Sequence, residues 1–300
     1  MSAIASDSAV KGPTFHPISS GRKAKNGIAT ALFLTAFAIA VVPLVWVLGV
    51  TITRGWYAVT RSTWWTHSLR GVQPEQFAGG VYHAIYGTLV QAAVAALLAM
   101  PLGLMAGVYL VEYGHGLLAR ATTFMVDVLA GVPSIVAALF IFSLWIATIG
   151  LPQSALAVSL ALVLLMLPVV VRSTEEMLKL VPDKLREASY ALGVPKWKTI
   201  LRIVVPTALP GIISGMILSV ARVIGETAPV LVLVGYSRAR NFDIFSGNMA
   251  SLPLLIYSEL TNPQHAGYLR VWGAALTLIL IVAILNLVAV VATRILMARR

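Results

Sequence analysis

Val271-Trp-Gly-Ala-Ala-Leu-Thr-Leu-Ile-Leu-Ile-Val-Ala-Ile-Leu-Asn-Leu-Val-Ala-Val-Val-Ala292 runs for 22 residues without an ionisable side chain. A helix rises about 1.5 Å per residue, so about 20 residues cross the hydrocarbon core of a bilayer. The run is apolar on every face and not along one stripe, which suits a helix surrounded by lipid. A membrane strand would instead alternate polar and apolar residues over about ten positions. In the bilayer core each backbone group must be satisfied within the chain, which leaves the helix as the spanning element.

Five more apolar runs lie upstream, at about 27–52, 84–111, 123–149, 153–171 and 209–235. The chain of 300 residues is 59% hydrophobic and only 11% charged, against about 25% charged in a soluble domain. That balance excludes an ordinary soluble enzyme, a disordered chain and a fibrous repeat. The expected fold class is an all-α membrane protein with six transmembrane helices. The membrane domain covers 27–293, flanked by polar tails at 1–26 and 294–300, with a charged loop at 172–208 between the fourth and fifth runs. The first run is too long for the apolar segment of a cleaved signal peptide and reads as a retained span.

The net charge is +11. With six spans, 15 Lys and Arg fall on the side of the termini and 6 on the other, which places both termini in the cytoplasm. The basic excess therefore belongs to membrane ends, with lipid as the neighbour and no nucleic acid. Trp56, Tyr57, Trp64 and Trp65 follow the first span and read as interfacial anchors. The outer loop 236–270 holds an apolar patch at 252–257 that fits either a surface helix or a re-entrant turn.

The chain has no cysteine, which removes disulfides, thiolate metal sites and cysteine nucleophiles. Its 5 histidines form no i, i+4 pair, and no metal site is expected. There is no Gly-x-Ser-x-Gly elbow, no catalytic carboxylate pair and no Gly-x4-Gly-Lys-[Ser/Thr] phosphate loop. The expectation is a non-catalytic chain that binds no cofactor and does not hydrolyse ATP itself.

In the inner loop, Pro182 and Asp183 suit a helix start and Gly193 suits its left-handed cap. Pro195 opens a second short helix expected to end before Pro206. The first helix presents the small residues Ala188, Ser189 and Ala191, so that another protein surface can approach closely. Within the spans lie Asp127, Arg222 and Glu226, each costing roughly 2.5–3.5 kcal/mol to insert. Arg222 and Glu226 are four apart and therefore expected on one helix face. They fit a structural ion pair, or a guanidinium facing a water-filled anion path with the carboxylate orienting it. Gly131-Val-Pro133-Ser134 fits a packing kink, or a half-helix whose N-terminus at Ser134 faces an anion. Gly103-x3-Gly107 and Gly211-x3-Gly215 are expected to be close helix contacts.

The spacing Glu187-Ala188-Ser189-x3-Gly193-x9-Ile203-x-Val205-Pro206 resembles the EAA loop of ABC importer permeases, Glu-Ala-Ala-x3-Gly-x9-Ile-x-Leu-Pro. Ser189 and Val205 are the departures. The resemblance implies that residues 183–203 form a coupling helix entering a groove of a separate ATPase, with Glu187, Ala188, Ser189, Gly193, Ile203 and Pro206 serving that contact. Asp127-Val-Leu-Ala-Gly-Val-Pro-Ser-Ile-Val-Ala-Ala-Leu139 and Ala221-Arg-Val-Ile-Gly-Glu-Thr-Ala-Pro229 look like segments of phosphate importer permeases of the PstA type. The likeness runs from the first span to the last. It implies the type I importer permease fold in a bacterial plasma (inner) membrane, with Arg222, Glu226, Ser134 and Asp127 along the substrate pathway. It also implies a heterodimer with a related permease, two ATPase subunits carrying ATP and Mg, and an extracytoplasmic phosphate-binding protein. The residues leave rivals: a sulfate or molybdate permease, or an ion-coupled secondary transporter using Asp127 and Glu226, against which the EAA spacing argues. A membrane-embedded enzyme is disfavoured by the absence of a catalytic set.

Overall fold

The computed structural model describes residues 19–298, with side chains described through residue 295. The expected tails lie partly beyond this range, including Lys11, His16, Arg299 and Arg300. Among the described residues the chain is all-helical. It forms two compact units, one ending at Val50 and one beginning at Thr51. The boundary falls inside α1 (Ser20–Val59). The first unit, as described, is the apolar leading part of that helix.

The second unit is built around α6 (Ala155–Lys179), which packs against α3 (Tyr82–Val108), α4 (Gly116–Gly131), α5 (Ser134–Ile141), α9 (Val205–Ile224) and α10 (Ala228–Leu233). Lipid tails are as apolar as leucine, so burial in lipid gives helices no reason to associate, and close packing must do it. The glycines supply the closeness. A Cβ added at Gly107 would lie 2.7 Å from Thr174 Cβ, and one at Gly103 2.6 Å from Val170 Cγ1. On α9, Gly211 and Gly215 abut Met177 and Ser173 of the same helix α6. Both small-x3-small patterns are thus contacts with one central helix. Alanines 95 and 99 of α3 and 155, 157 and 161 of α6 complete its buried core.

The third apolar run is broken. Proline lacks an amide hydrogen and drives the preceding residue out of helical geometry. Val132 is extended, Pro133 caps α5, and α4 and α5 are bent by 107°. Among the described residues, five helices are long and apolar enough to cross a membrane, or six if this bent pair counts as one span.

Elsewhere helices outrun their expected ends. Helix α6 continues past Val171 to Lys179, because its charges pair along it: Arg172 with Glu175 at 2.7 Å and Lys179 with Glu175 at 2.6 Å. The second elbow helix, α8 (Lys196–Thr199), does not stop before Pro206. A π turn at Ile200–Val204 leads it into α9, so the chain stays helical to Ile224. The wide turn gives the proline ring room beside the preceding carbonyls, and its missing donor falls near the start of α9.

At the opposite end from the elbow, α2 (Ser62–Thr66), α11 (Leu252–Glu259) and the start of α12 (His265–Ala298) pack together. The patch at 252–257 is a helix buried on one side, with Leu252, Leu254 and Leu255 in the core and Tyr257 exposed. Trp64 corrects the anchor expectation. It is 2% exposed and donates its indole N–H to Thr277 Oγ1 at 2.9 Å, whereas Trp56, Tyr57 and Trp65 stay exposed. A buried ion pair, Arg270 with Glu259 at 3.1 Å, ties α11 to α12, and Arg270 also donates to the carbonyls of Gln73 and Gln76.

Gly107→Leu is expected to destabilise the second unit by about 1–3 kcal/mol through overpacking against Thr174. Gly131→Ala, whose Cβ meets nothing within 4 Å, should leave stability within about 0.5 kcal/mol. Thermal unfolding of the two variants in detergent checks the contrast.

Candidate functional site

Four charged or polar residues were expected along an internal path, and the chain distributes them unequally. Asp127 on α4 is bonded to Arg172 on α6, which also holds Glu175. Its charge is therefore engaged in an interhelical ladder that runs on to Lys179. Ser134 begins α5, half-buried, just past the 107° bend.

Arg222 and Glu226 do not share a helix face. Pro229 prevents α9 from continuing, since its ring would collide with the carbonyl four residues back. Helix α9 ends at Ile224, Gly225 N–H donates to Arg222 O at 3.2 Å, and Glu226 N–H donates to Val223 O at 3.1 Å. Arg222 is left in the last turn of α9, where a cation complements the negative helix end. Its guanidinium is exposed, and no ion pair or hydrogen bond holds it among the described residues. Glu226 instead lines a narrow internal cavity, where Thr88, Gln91 and Ser251 sit among apolar side chains such as Leu162 and Val230. The buried Gln91 amide nitrogen there has no partner among the described residues. The periodicity of the span signalled neither Gln91 nor the break.

At the point where α9 gives way to α10, the guanidinium of Arg222 keeps its donors free, while the half-buried carboxylate of Glu226 faces different surroundings. A free guanidinium can grip a tetrahedral oxyanion through two parallel hydrogen bonds. Beyond α10, the loop at 236–251 is well ordered by its own side chains. Asn241 donates to the carbonyls of Ser246 and Asn248, and Ile244 O accepts from Leu156 N–H at the start of α6. The Ser246 hydroxyl at 2.6 Å and the Phe245 N–H hold the Asp243 carboxyl below the usual carboxylate range. Burial pushes the Tyr236 phenol up to about 12, so it stays neutral.

The inner elbow is the second candidate. Helix α7 (Asp183–Ala191) is capped at its start by Pro182 and closed at its end by Gly193 with φ +74°. Gly193 N–H donates to Tyr190 O at 2.9 Å and Val194 N–H to Ser189 O at 3.2 Å, the paired bonds of a Schellman cap. Glu187, Ala188 and Ala191 are exposed. Ser189 corrects the expectation: it faces inward, bonded to Thr199 on α8 at 2.8 Å, and holds the two short helices together. Ile203 lies half-buried in the π turn and Pro206 half-buried in α9. The outer face of the elbow instead carries exposed apolar side chains, Leu185, Tyr190, Trp197 and, at 83% exposure, Leu192.

Sequence reasoning missed the residues that fasten this elbow. Arg186 is 13% exposed on its side chain and bonds Glu112, itself 5% exposed, at 2.9 Å and 3.1 Å. Glu112 sits in a π turn, Tyr109–Tyr113, that ends the long helix begun by α3. Its only signal in the sequence is a carboxylate at the tail of an apolar run. Breaking such a buried pair costs about 3–5 kcal/mol, because the remaining charge is left without its partner.

The family described as "Binding-protein-dependent transport system inner membrane component" matches residues 99–300. The chain is 73% identical over 289 residues to phosphate transport system permease protein PstA 1 of Mycobacterium tuberculosis, covering 96% of this chain and 94% of that protein. It is 75% identical over 281 residues to the protein named PstA of Mycobacterium leprae, with 94% and 92% covered. The PstA of Yersinia pestis is 37% identical over 269 residues, with 89% and 90% covered. Among solved structures, a bacterial alginate ABC transporter in complex with a periplasmic protein superposes with a TM-score of 0.63 at 13% identity, covering 90% of this chain and 94% of that one. An inward-facing MetNI methionine ABC transporter gives 0.56 at 18% identity, covering 72% and 94%. These two likenesses speak to the fold.

Gly193→Val is expected to loosen the elbow, since a left-handed backbone costs a branched residue about 1–2 kcal/mol. Amide hydrogen exchange at residues 190–194 should speed by roughly 5–30-fold, with α3 and α6 unaffected.

Proposed function

The chain belongs to the family of binding-protein-dependent transport system inner membrane components, as a permease of the PstA type, and on that premise we propose that it is one half of the membrane pathway of an ATP-driven phosphate importer. The observation that carries the proposal is the unpaired Arg222 guanidinium beside a helix break, in a chain 73% identical to a protein named for phosphate transport. A multi-pass protein of this kind lies in the inner membrane. Its basic inner loop puts both termini and the elbow in the cytoplasm.

Phosphate, delivered by an extracytoplasmic binding protein, is gripped by Arg222 through two oxygens. Glu226, held apart from Arg222 in this arrangement, becomes its partner as the spans move, which releases the anion. Ser134, at the start of α5, is a second donor along the path, whereas Asp127 acts on α6 through Arg172. A related permease supplies the facing half. The elbow docks its apolar side chains and Glu187 into an ATPase subunit, one of two in the assembly, and those subunits hold ATP and Mg. This chain binds no cofactor and performs no chemistry. Nucleotide binding shifts the population between outward- and inward-open states by favouring one of them energetically.

A guanidinium also accepts other tetrahedral oxyanions, so sulfate or molybdate permease function is the second reading. The name shared by the nearly full-length relatives favours phosphate.

Arg222→Ala should lower phosphate uptake by about 100-fold, as loss of charge-assisted hydrogen bonds worth about 3 kcal/mol would. ATPase copurification should persist, and normal uptake would refute the pathway role. A tenfold excess of sulfate or molybdate is expected to leave labelled phosphate uptake unchanged; competition by either at phosphate-like concentrations would favour the second reading.

A further inference from the structure

Arg186 is a helix residue of the elbow, yet its side chain points away from the docking face. The guanidinium has five N–H donors in a fixed fork. Here five bonds use them: Nε and Nη2 to Glu112 Oε1, Nη1 to Val181 O at 2.7 Å and to Asp183 Oδ1 at 3.0 Å, and Nη2 to Leu178 O at 3.1 Å. Leu178 lies in the last turn of α6 and Val181 just past it, while Glu112 lies in the π turn that ends the helix begun by α3. One side chain on α7 therefore holds the inner ends of two different spans.

The second elbow helix grips the same turn. Lys196 donates to the main-chain oxygen of Glu112, and its ammonium lies 4.7 Å from the Tyr113 ring centroid. Glu112 is thus clasped by its carboxylate from α7 and by its carbonyl from α8. Apolar contacts between two helix ends can slide, whereas a saturated fork on a buried carboxylate fixes distance and angle together. Helices α3 and α6 are already closely packed through Gly103 and Gly107, so a displacement applied to both inner ends moves them as one body.

We infer that the Glu112–Arg186 pair is the linkage that delivers movement of the elbow to α3 and α6, and that Glu112 is a positioning residue for coupling. The inference rests on the reading that the elbow docks on an ATPase. Without the pair, the elbow still engages its motor, but its displacement is absorbed locally and not passed to the spans.

The test uses the complete transporter in vesicles, with both permeases, the ATPases and phosphate-loaded binding protein. Phosphate moved per ATP hydrolysed is compared for the unaltered chain, Glu112→Gln and Arg186→Lys. Both variants should copurify with the ATPase and keep its basal hydrolysis, while phosphate per ATP falls by about 5- to 150-fold, the usual span of coupling between sites. Glu112→Gln with phosphate per ATP unchanged overturns the inference. So does failure of both variants to assemble, which would make the pair a folding element. Phosphate uptake without ATP by the unaltered complex would instead overturn the docking reading, and is read on a different sample.

Discussion

Water is absent from the bilayer core, and that absence decides how this chain can place polar groups. Backbone groups retreat into helices, and helices that cannot gain from burial must gain from contact. The contact is concentrated on α6, against which Gly103, Gly107, Gly211 and Gly215 bring two neighbouring spans to within a side chain's width. Side-chain charges face the same constraint. Asp127, Arg172, Glu175 and Lys179 satisfy one another across α4 and α6, Glu112 and Arg186 do so at the elbow, and Glu259 and Arg270 do so at the opposite end.

Of the three charges expected within the spans, Asp127 joins this pairing, whereas Arg222 and Glu226 stand apart. A structural ion pair would have been the cheaper use of two such residues. The chain instead ends α9 between them and turns them to different surroundings, Arg222 outward and Glu226 into the Gln91 cavity. Separating them leaves the guanidinium without an intramolecular partner among the described residues. The helix break ahead of Pro229 is what keeps the two side chains apart.

The spans were legible because hydropathy over about 20 residues reports directly on the solvent around a helix. The elbow was legible for a different reason. Its proline start and glycine stop are local rules, and Pro182 and Gly193 behave as those rules require. What sequence reasoning misplaced depends on partners far along the chain. Trp64 looks like an interfacial anchor until Thr277 is brought to its indole, 213 residues away. Ser189 looks like a surface residue until α8 folds back on it. The Arg222–Glu226 face was an extrapolation of helical period past Ile224, where the helix ends ahead of Pro229. Pro133 announced a kink, but its 107° bend depends on what the two halves pack against.

Glu112 shows the limit most sharply, because its partner is 74 residues away and neither residue carries a motif of its own. Arg186 lies in the first turn of α7, immediately before the EAA-like pattern that begins at Glu187, without belonging to it. A coupling device needs two sides, one that receives force and one that hands it on. Only the receiving side has to fit another protein and so takes a recognisable spacing of residues. The delivering side has to fit this chain's own helix ends, and a carboxylate placed anywhere along a π turn that meets the fork will serve. Its position is therefore set by packing, and three-dimensional geometry is where it becomes visible.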